Sequence, residues 1–282
     1  MQMIKLSNGV QMPQIGYGVY QVSSEECERC VSDALSAGYR MIDTAQAYHN
    51  EEGVGAALAG SGLKREEVFL VSKVWISNYA GDKPAKSIDE SLRKLRTEYI
   101  DLMLLHQPFC DRYNAWRALE DAYKAGKVRA IGVSNHFADH FIDLASNVEI
   151  VPMVNQMETH IFNQERALRP FLEDFNCHLM SWAPLAEGRN GLFTQPVLLS
   201  IGKQYGKSAA QVALRFLLQE GVVIIPKSVH KERMVENLDI LDFTLSAEDM
   251  AQLHALDTAH SLFFDHHNGD VTKMFMGWRG LV

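Results

Sequence analysis

Three apolar runs in this sequence each finish in a side chain that titrates. Tyr39-Arg-Met-Ile-Asp43 ends in a carboxylate, Val68-Phe-Leu-Val-Ser-Lys73 in an amine, and Ile100-Asp-Leu-Met-Leu-Leu-His106 in an imidazole. A charge at the end of a buried run is costly unless it is paired, so these types predict a mutually satisfied polar cluster. Later runs end in Ser134-Asn135, Gln156, Trp182 and Lys227-Ser228, groups that hydrogen-bond, stack or carry charge. Acid–base chemistry at a shared site is the reading that uses all of them. A lysine in such a place could also form a Schiff base with a carbonyl, as in an aldolase-type barrel. That alternative leaves Trp182 and the cations Lys227 and Arg233 without a joint role. Cys27 and Cys30 have the CxxC spacing, but with Val31, Ala34 and Leu35 they form one apolar helix stripe, so neither a metal nor a disulfide is expected. His266-His267 is too isolated for a metal site.

The elements that would bring these residues together alternate between strand and helix. Buried-type strands read as Tyr39–Asp43, Val68–Lys73, Ile100–His106, Arg129–Ser134, Val151–Gln156, His178–Trp182, Val222–Pro226 and a weaker Ile240–Phe243, eight in all. Helical stripes lie between them, for example Ile88, Leu92 and Leu95, or Val212, Phe216 and Leu217. Ser23 with Glu26, and Ser246 with Asp249, have the spacing of helix N-caps, and Gly38 suits a helix end. Ahead of the first strand, Met3–Leu6 and Val10–Pro13 flank Asn8-Gly9, a hairpin signal. Eight such repeats predict an α/β protein with a (β/α)8 TIM barrel, whose strand ends converge on one mouth. A doubly wound sheet would want a glycine fingerprint after the first strand, and Asp43-Thr-Ala-Gln-Ala-Tyr48 is not one. The expected organisation is one barrel domain over 1–282, with the hairpin (1–14) across the barrel bottom and a C-terminal tail from about 258 to 282.

The whole-chain numbers fit that picture. With 282 residues, 47% hydrophobic and 22% charged, the composition is that of an ordinary globular protein. Net charge is −8, which argues against a nucleic-acid or anionic-membrane surface. No apolar run approaches the roughly 20 residues needed to span a bilayer, and no secretory signal is visible at the start, so a cytoplasmic monomer acting on a small molecule is expected.

Taken together, Asp43-Thr-Ala-Gln-Ala-Tyr48, Val-Ser-Lys73-Val-Trp75, Asp-Leu-Met-Leu-Leu-His106, Ile-Gly-Val-Ser134-Asn135, Val-Asn155-Gln156-Met-Glu, Ile-Pro-Lys227-Ser228 and Arg233-Met-Val-Glu236-Asn237-Leu resemble the aldo-keto reductases. The resemblance runs from about Met3 to Phe264, and within the family points to the bacterial branch that includes 2,5-diketogluconate and methylglyoxal reductases. It implies an NADPH-dependent reductase of aldehydes and ketones: small dicarbonyls, keto sugars or aromatic aldehydes. Asp43, Tyr48, Lys73 and His106 would be the catalytic tetrad, with Tyr48 the proton donor in a site that favours its phenolate. Ser134, Asn135 and Gln156 would hold the nicotinamide carboxamide. Trp182 stands where the family usually has Tyr, keeping a stacking face but losing the hydroxyl. Lys227, Ser228 and Arg233 would grip the 2′-phosphate, and Glu236 and Asn237 would meet the adenine. Pro184, Leu185, Val229 and His230 complete the implied cofactor contacts. Tyr20, Trp75, His106 and Phe109 would face the substrate, along with an aromatic and Met-rich tail that includes Phe263, Phe264, Met274, Phe275, Met276 and Trp278. Gln107 replaces the family's usual Trp and would admit more polar substrates. No metal is implied. The alternative on the same fold is a catalytically silent NADPH-binding sensor.

Overall fold

The computed structural model describes residues 2–280; residue 1 of the hairpin range and residues 281 and 282 of the tail lie outside it. Eight parallel strands form one sheet in sequential order. Two short strands precede them, β1 (Met3–Lys5) and β2 (Gln11–Pro13). The barrel strands are β3 (Tyr17–Gly18), β4 (Met41–Asp43), β5 (Phe69–Val74), β6 (Leu102–Leu105), β7 (Ile131–Ser134), β8 (Val154–Glu158), β9 (His178–Trp182) and β10 (Val223–Ile224). A parallel bridge from Ile15 to Ile224, with Gly16 N donating to Ile224 O at 2.8 Å and Gly18 N to Pro226 O at 3.3 Å, closes the sheet on itself. Gly18 belongs at this seam, because a Cβ there would stand 3.1 Å from Ile225 O. The expected barrel is the observed one.

Its strands are buried almost throughout, as in β5, where all six residues are covered; only the two end residues of β9 are half-buried. That is why they read as continuous apolar runs and not as alternating ones. The helices around them are α1 (Ser24–Ala37), α2 (Glu51–Gly60), α3 (Lys83–Lys94), α4 (Arg112–Lys124), α5 (Ala138–Ala145), α6 (Arg169–Asp174), α7 (Pro196–Tyr205), α8 (Ala209–Gln219), α9 (Lys231–Leu238), α10 (Ala247–His254) and α11 (Gly269–Gly277). Ser23 caps α1 by accepting from Glu26 N at 3.3 Å, and Gly38 ends it at φ 110°, a left-handed conformation that suits glycine. Cys27 and Cys30 carry free, buried thiols on the inner face of α1. Ser246 and Asp249 form the reciprocal N-cap of α10. The β1–β2 hairpin turns at Asn8-Gly9 and is tied to the N-terminal ends of the barrel strands: Asn8 Nδ2 donates to Arg129 O at 2.9 Å, and the His178 ring meets Lys5 O at 3.1 Å. It therefore covers the barrel bottom.

One strand assignment is corrected. Ile240–Phe243 is not a strand; the missing one is β3, before all the others. The Ile240 stretch is apolar because Ile240 packs inward, but its backbone is claimed by helix α8 and the residues before it. Arg215 Nη1 donates to Ile240 O, Gln211 Nε2 to Asp239 O at 2.8 Å, and Lys207 pairs with both Asp239 and Asp242. Conversely, β3 has two residues, one of them glycine, and leaves no periodic signal to read.

Candidate active site

Three strand ends and one short turn build the polar centre. Asp43 closes β4, Lys73 is the penultimate residue of β5, His106 follows β6, and Tyr48 ends the turn Gln46–Tyr48. Lys73 Nζ donates to Asp43 Oδ1 at 2.6 Å and to Thr44 O at 2.9 Å, and lies 3.3 Å from Tyr48 Oη. The second Asp43 oxygen accepts from Gln156 Nε2 at 2.8 Å. Lys73 is 0% exposed and Asp43 1%, so this pair is wholly withdrawn from water and satisfied within the protein. The Tyr48 and Trp75 rings flank His106 edge-on, with centroids at 5.6 and 5.1 Å.

Burial sets the protonation states. It lifts the Tyr48 phenol well above its ordinary value, with the Asp43 charge adding to the effect. The site thus keeps the resting phenol protonated, whereas the sequence led us to expect a site that favours phenolate. Burial pulls the Lys73 amine down while Asp43 opposes it. Burial, helped by the Lys73 charge, holds His106 well below the usual imidazole range, so its ring is neutral. His106 Nδ1 is buried without a hydrogen-bond partner among the described residues. A proton there would be a stranded donor, which assigns it to Nε2.

These groups line a cavity of about 630 Å³. Of the residues singled out from sequence, Asp43, Tyr48, His106, Ser134, Asn135, Gln156, Trp182, Pro184, Leu185, Lys227, Tyr20 and Trp75 all line it. Lys73 lies directly beneath. Ser228, Val229, His230, Arg233, Glu236 and Asn237 are not among its lining residues. Ser228 is fixed nearby, its carbonyl accepting from Tyr17 Oη at 2.6 Å and its Oγ accepting from His230 N. Glu236 accepts from Ser208 Oγ at 2.5 Å, which turns its carboxylate to the cap of α8. Phe109 is also absent from the lining; it stacks on His266 at 5.9 Å, one layer behind the cavity.

Three partnerships were invisible in sequence. Trp182 Nε1 donates to Asn135 Oδ1 at 2.9 Å, so the indole keeps a polar contact where the loss of a hydroxyl had put one in doubt. Gln46 anchors the turn that carries Tyr48: its Nε2 donates to Ser87 O and Ser91 Oγ, and its Oε1 accepts from Trp75 N and Asn78 Nδ2. The tail is strapped over the mouth by Glu158, which accepts from Ser261 Oγ and from Leu262 N and so brings Phe263, Phe264, His266, Phe275 and Trp278 into the lining. The aromatic tail residues were legible; the carboxylate that moors them was not.

A dinucleotide fits this donor set. Ser134 Oγ, Asn135 and Gln156 stand together, with Ser134 Oγ donating to Gln156 O at 2.9 Å and accepting from Asn135 Nδ2 at 3.2 Å. Lys227 lines the same cavity, and neither it nor the exposed Arg233 has a carboxylate partner among the described residues. Two unpaired cations on one segment suit a phosphate.

Comparison with known proteins gives the same outline. The profile of the aldo/keto reductase family matches residues 5–258. The sequence is 46% identical over 256 residues to a glyoxal reductase of Bacillus subtilis (strain 168), covering 90% of this chain and 92% of that protein. It is 40% identical over 262 residues to methylglyoxal reductase DkgA of Escherichia coli (strain K12), covering 92% and 94%. Among solved structures, an aldo-keto reductase of Bombyx mori in complex with NADP superposes with a TM-score of 0.88 at 31% identity, over 99% of this chain and 97% of that one.

Proposed function

The chain belongs to the aldo/keto reductase family, and on that premise we propose how its own residues divide the reaction. The protein is an NADPH-dependent oxidoreductase that reduces aldehydes and ketones to alcohols. Bound NADPH supplies the hydride to the carbonyl carbon. Tyr48 donates its phenolic proton to the carbonyl oxygen as charge develops there, and His106 Nε2–H hydrogen-bonds the same oxygen and orients it. Lys73 stabilises the phenolate left behind, while Asp43 keeps the amine oriented. Such preorganised donors in a dry site commonly contribute several kcal/mol. The observation that carries this assignment is the buried chain Asp43–Lys73–Tyr48, with links of 2.6 and 3.3 Å beneath a cavity that His106 shares.

On the cofactor side, Ser134, Asn135 and Gln156 would hold the carboxamide, Trp182 would offer a stacking face to the nicotinamide with Pro184 and Leu185 nearby, and Lys227, Ser228 and Arg233 would hold the 2′-phosphate. Val229, His230 and Asn237 are carried with that segment, and Glu236 would have to release Ser208 to meet the adenine. Small dicarbonyls are the substrates this reading puts first, with keto sugars and aromatic aldehydes behind them; the names of the two bacterial relatives support that order. We further propose a cytoplasmic monomer that acts without nucleic acid; the net charge of −8 disfavours a nucleic-acid surface, and no described helix is long and apolar enough to cross a membrane. Sedimentation in the presence and absence of NADPH checks the monomer.

The decisive experiment follows NADPH consumption with methylglyoxal, a keto sugar acid and an aromatic aldehyde, for the parent protein and Tyr48→Phe. Turnover should vanish in the variant while NADPH affinity stays within a few-fold. Retained turnover removes Tyr48 from its role, and tight binding without turnover in the parent points to the sensor.

A further inference from the structure

Trp75, Phe264, Phe275 and Trp278 give the cavity an aromatic wall. Set in that wall are two polar side chains that the reaction centre does not use, Gln107 after β6 and His266 from the tail. They are bonded to each other, with His266 Nε2 at 2.9 Å from Gln107 Oε1. His266 is 4% exposed, and its ring clusters with those of Phe109 at 5.9 Å and Phe275 at 5.4 Å, which themselves lie 5.5 Å apart. Burial pushes its imidazole down to about 4, so the neutral ring is the species present near neutrality, and it donates through Nε2 to the glutamine oxygen.

Gln107 is held from both ends. Its backbone N donates to Tyr79 Oη at 3.2 Å, and its carbonyl accepts from the same hydroxyl at 3.0 Å. With Oε1 committed to His266, the amide nitrogen is aimed by the opposite side of the group. Among the described residues Nε2 has no hydrogen-bond partner, and it belongs to a side chain that lines the cavity. An amide donor fixed in an aromatic wall is costly to leave unpaired, and a substrate that lacks an acceptor for it loses that bond.

Gln107 also follows His106 directly in the chain. Consecutive residues start about 3.8 Å apart at Cα. Both side chains line the one cavity, so each can offer a donor to a different oxygen of the same small substrate. Resting on the reductase reading above, we propose that Gln107 Nε2, oriented by His266, is a specificity-determining donor that binds an oxygen on the carbon next to the reacting carbonyl. The pocket then selects vicinal dicarbonyls and 2-hydroxy carbonyls over their counterparts without that oxygen. The hydride and proton steps are unchanged; Gln107 acts on selection alone.

Methylglyoxal and propanal test this as a matched pair, being three-carbon aldehydes that differ by a C=O in place of a CH2. The readout is the ratio of their kcat/KM values with NADPH, since taking the same ratio in each variant cancels intrinsic reactivity. Gln107→Leu should lower the methylglyoxal-to-propanal ratio about 10-fold, the loss of one good hydrogen bond, with the change in KM for methylglyoxal. His266→Phe keeps the ring stack and frees the amide to rotate, and should lower the ratio by a smaller factor. Melting curves that match the parent establish that both variants are folded. A ratio within about twofold of the parent in either variant overturns the proposal, as does an equal loss on both aldehydes, which marks a merely structural role. The reductase reading is judged separately, on Tyr48→Phe.

Discussion

Replacing Lys73 by Met separates what the buried ion pair does for the fold from what it does for the reaction. The ammonium makes three contacts, to Asp43 Oδ1, Thr44 O and Tyr48 Oη, at a position with no solvent exposure. In Lys73→Met the Asp43 carboxylate keeps Gln156 Nε2 as its side-chain donor and loses its counter-charge. Breaking a buried pair by removing one partner costs about 3–5 kcal/mol. An unfolding entropy of about 2.1 cal/mol/K per residue gives roughly 0.6 kcal/mol/K for a chain of this length, so the variant should melt about 5–8 °C below the parent. Adding Asp43→Asn removes the orphaned charge while preserving the shape, and Gln156 can still donate to the amide oxygen. Lys73→Met/Asp43→Asn should therefore recover more than half of the lost stability, as replacement of buried pairs by neutral groups commonly does. Turnover should not recover, because neither variant restores positive charge beside Tyr48; both should lie about 10²-fold or more below the parent. Thermal unfolding by circular dichroism and single-turnover NADPH oxidation read the two effects independently. If Lys73→Met melts within about 1 °C of the parent, or the double variant is no more stable than the single one, the pair is not the uncompensated-charge hazard argued here. If the double variant regains turnover, the role of Lys73 beside the phenol is wrong.

Two further outcomes follow from the same structure. Arg233→Ala, removing an exposed cation with no carboxylate partner among the described residues, should weaken NADPH binding about 10- to 100-fold while moving NADH less than about twofold, as measured by fluorescence titration; equal losses would take Arg233 off the phosphate. His136 is fully buried between β7 and α5, and burial pushes its pKa down to about 3, so the unfolded chain takes up a proton that the folded one refuses. Its contribution to stability is complete above about 6.5 and is lost as pH falls towards 3, a slope of about 1.4 kcal/mol per pH unit for one proton. His136→Gln should flatten the stability–pH profile by that amount between pH 6 and 4. Because Glu165, pushed up to about 7, tilts the profile the opposite way, parent and variant are compared at each pH; superimposable slopes would refute the assignment.

The strands that carry Asp43, Lys73 and His106 were legible because parallel barrel strands are covered on both faces, which writes each one as an unbroken apolar run with its chemistry at the end. The same rule failed where packing supplied the apolarity without the sheet, at Ile240–Phe243, and where the sheet needed only two residues, at Tyr17–Gly18. In the site, residue types could be read and their partners could not. Asp43 meets Gln156 across 113 positions, and Gln107 meets His266 across 159, distances over which a single sequence carries no pairing signal. Protonation was the least legible property, because it depends on burial depth and not on residue type. A phenol beside an ammonium reads from sequence as an activated acid; withdrawn from water with Asp43 nearby, it is held protonated in the resting site. On the proposed mechanism the proton would stay on Tyr48 until hydride transfer has begun and Lys73 would act on the phenolate left behind, so the ion pair with Asp43 would matter most once that phenolate forms.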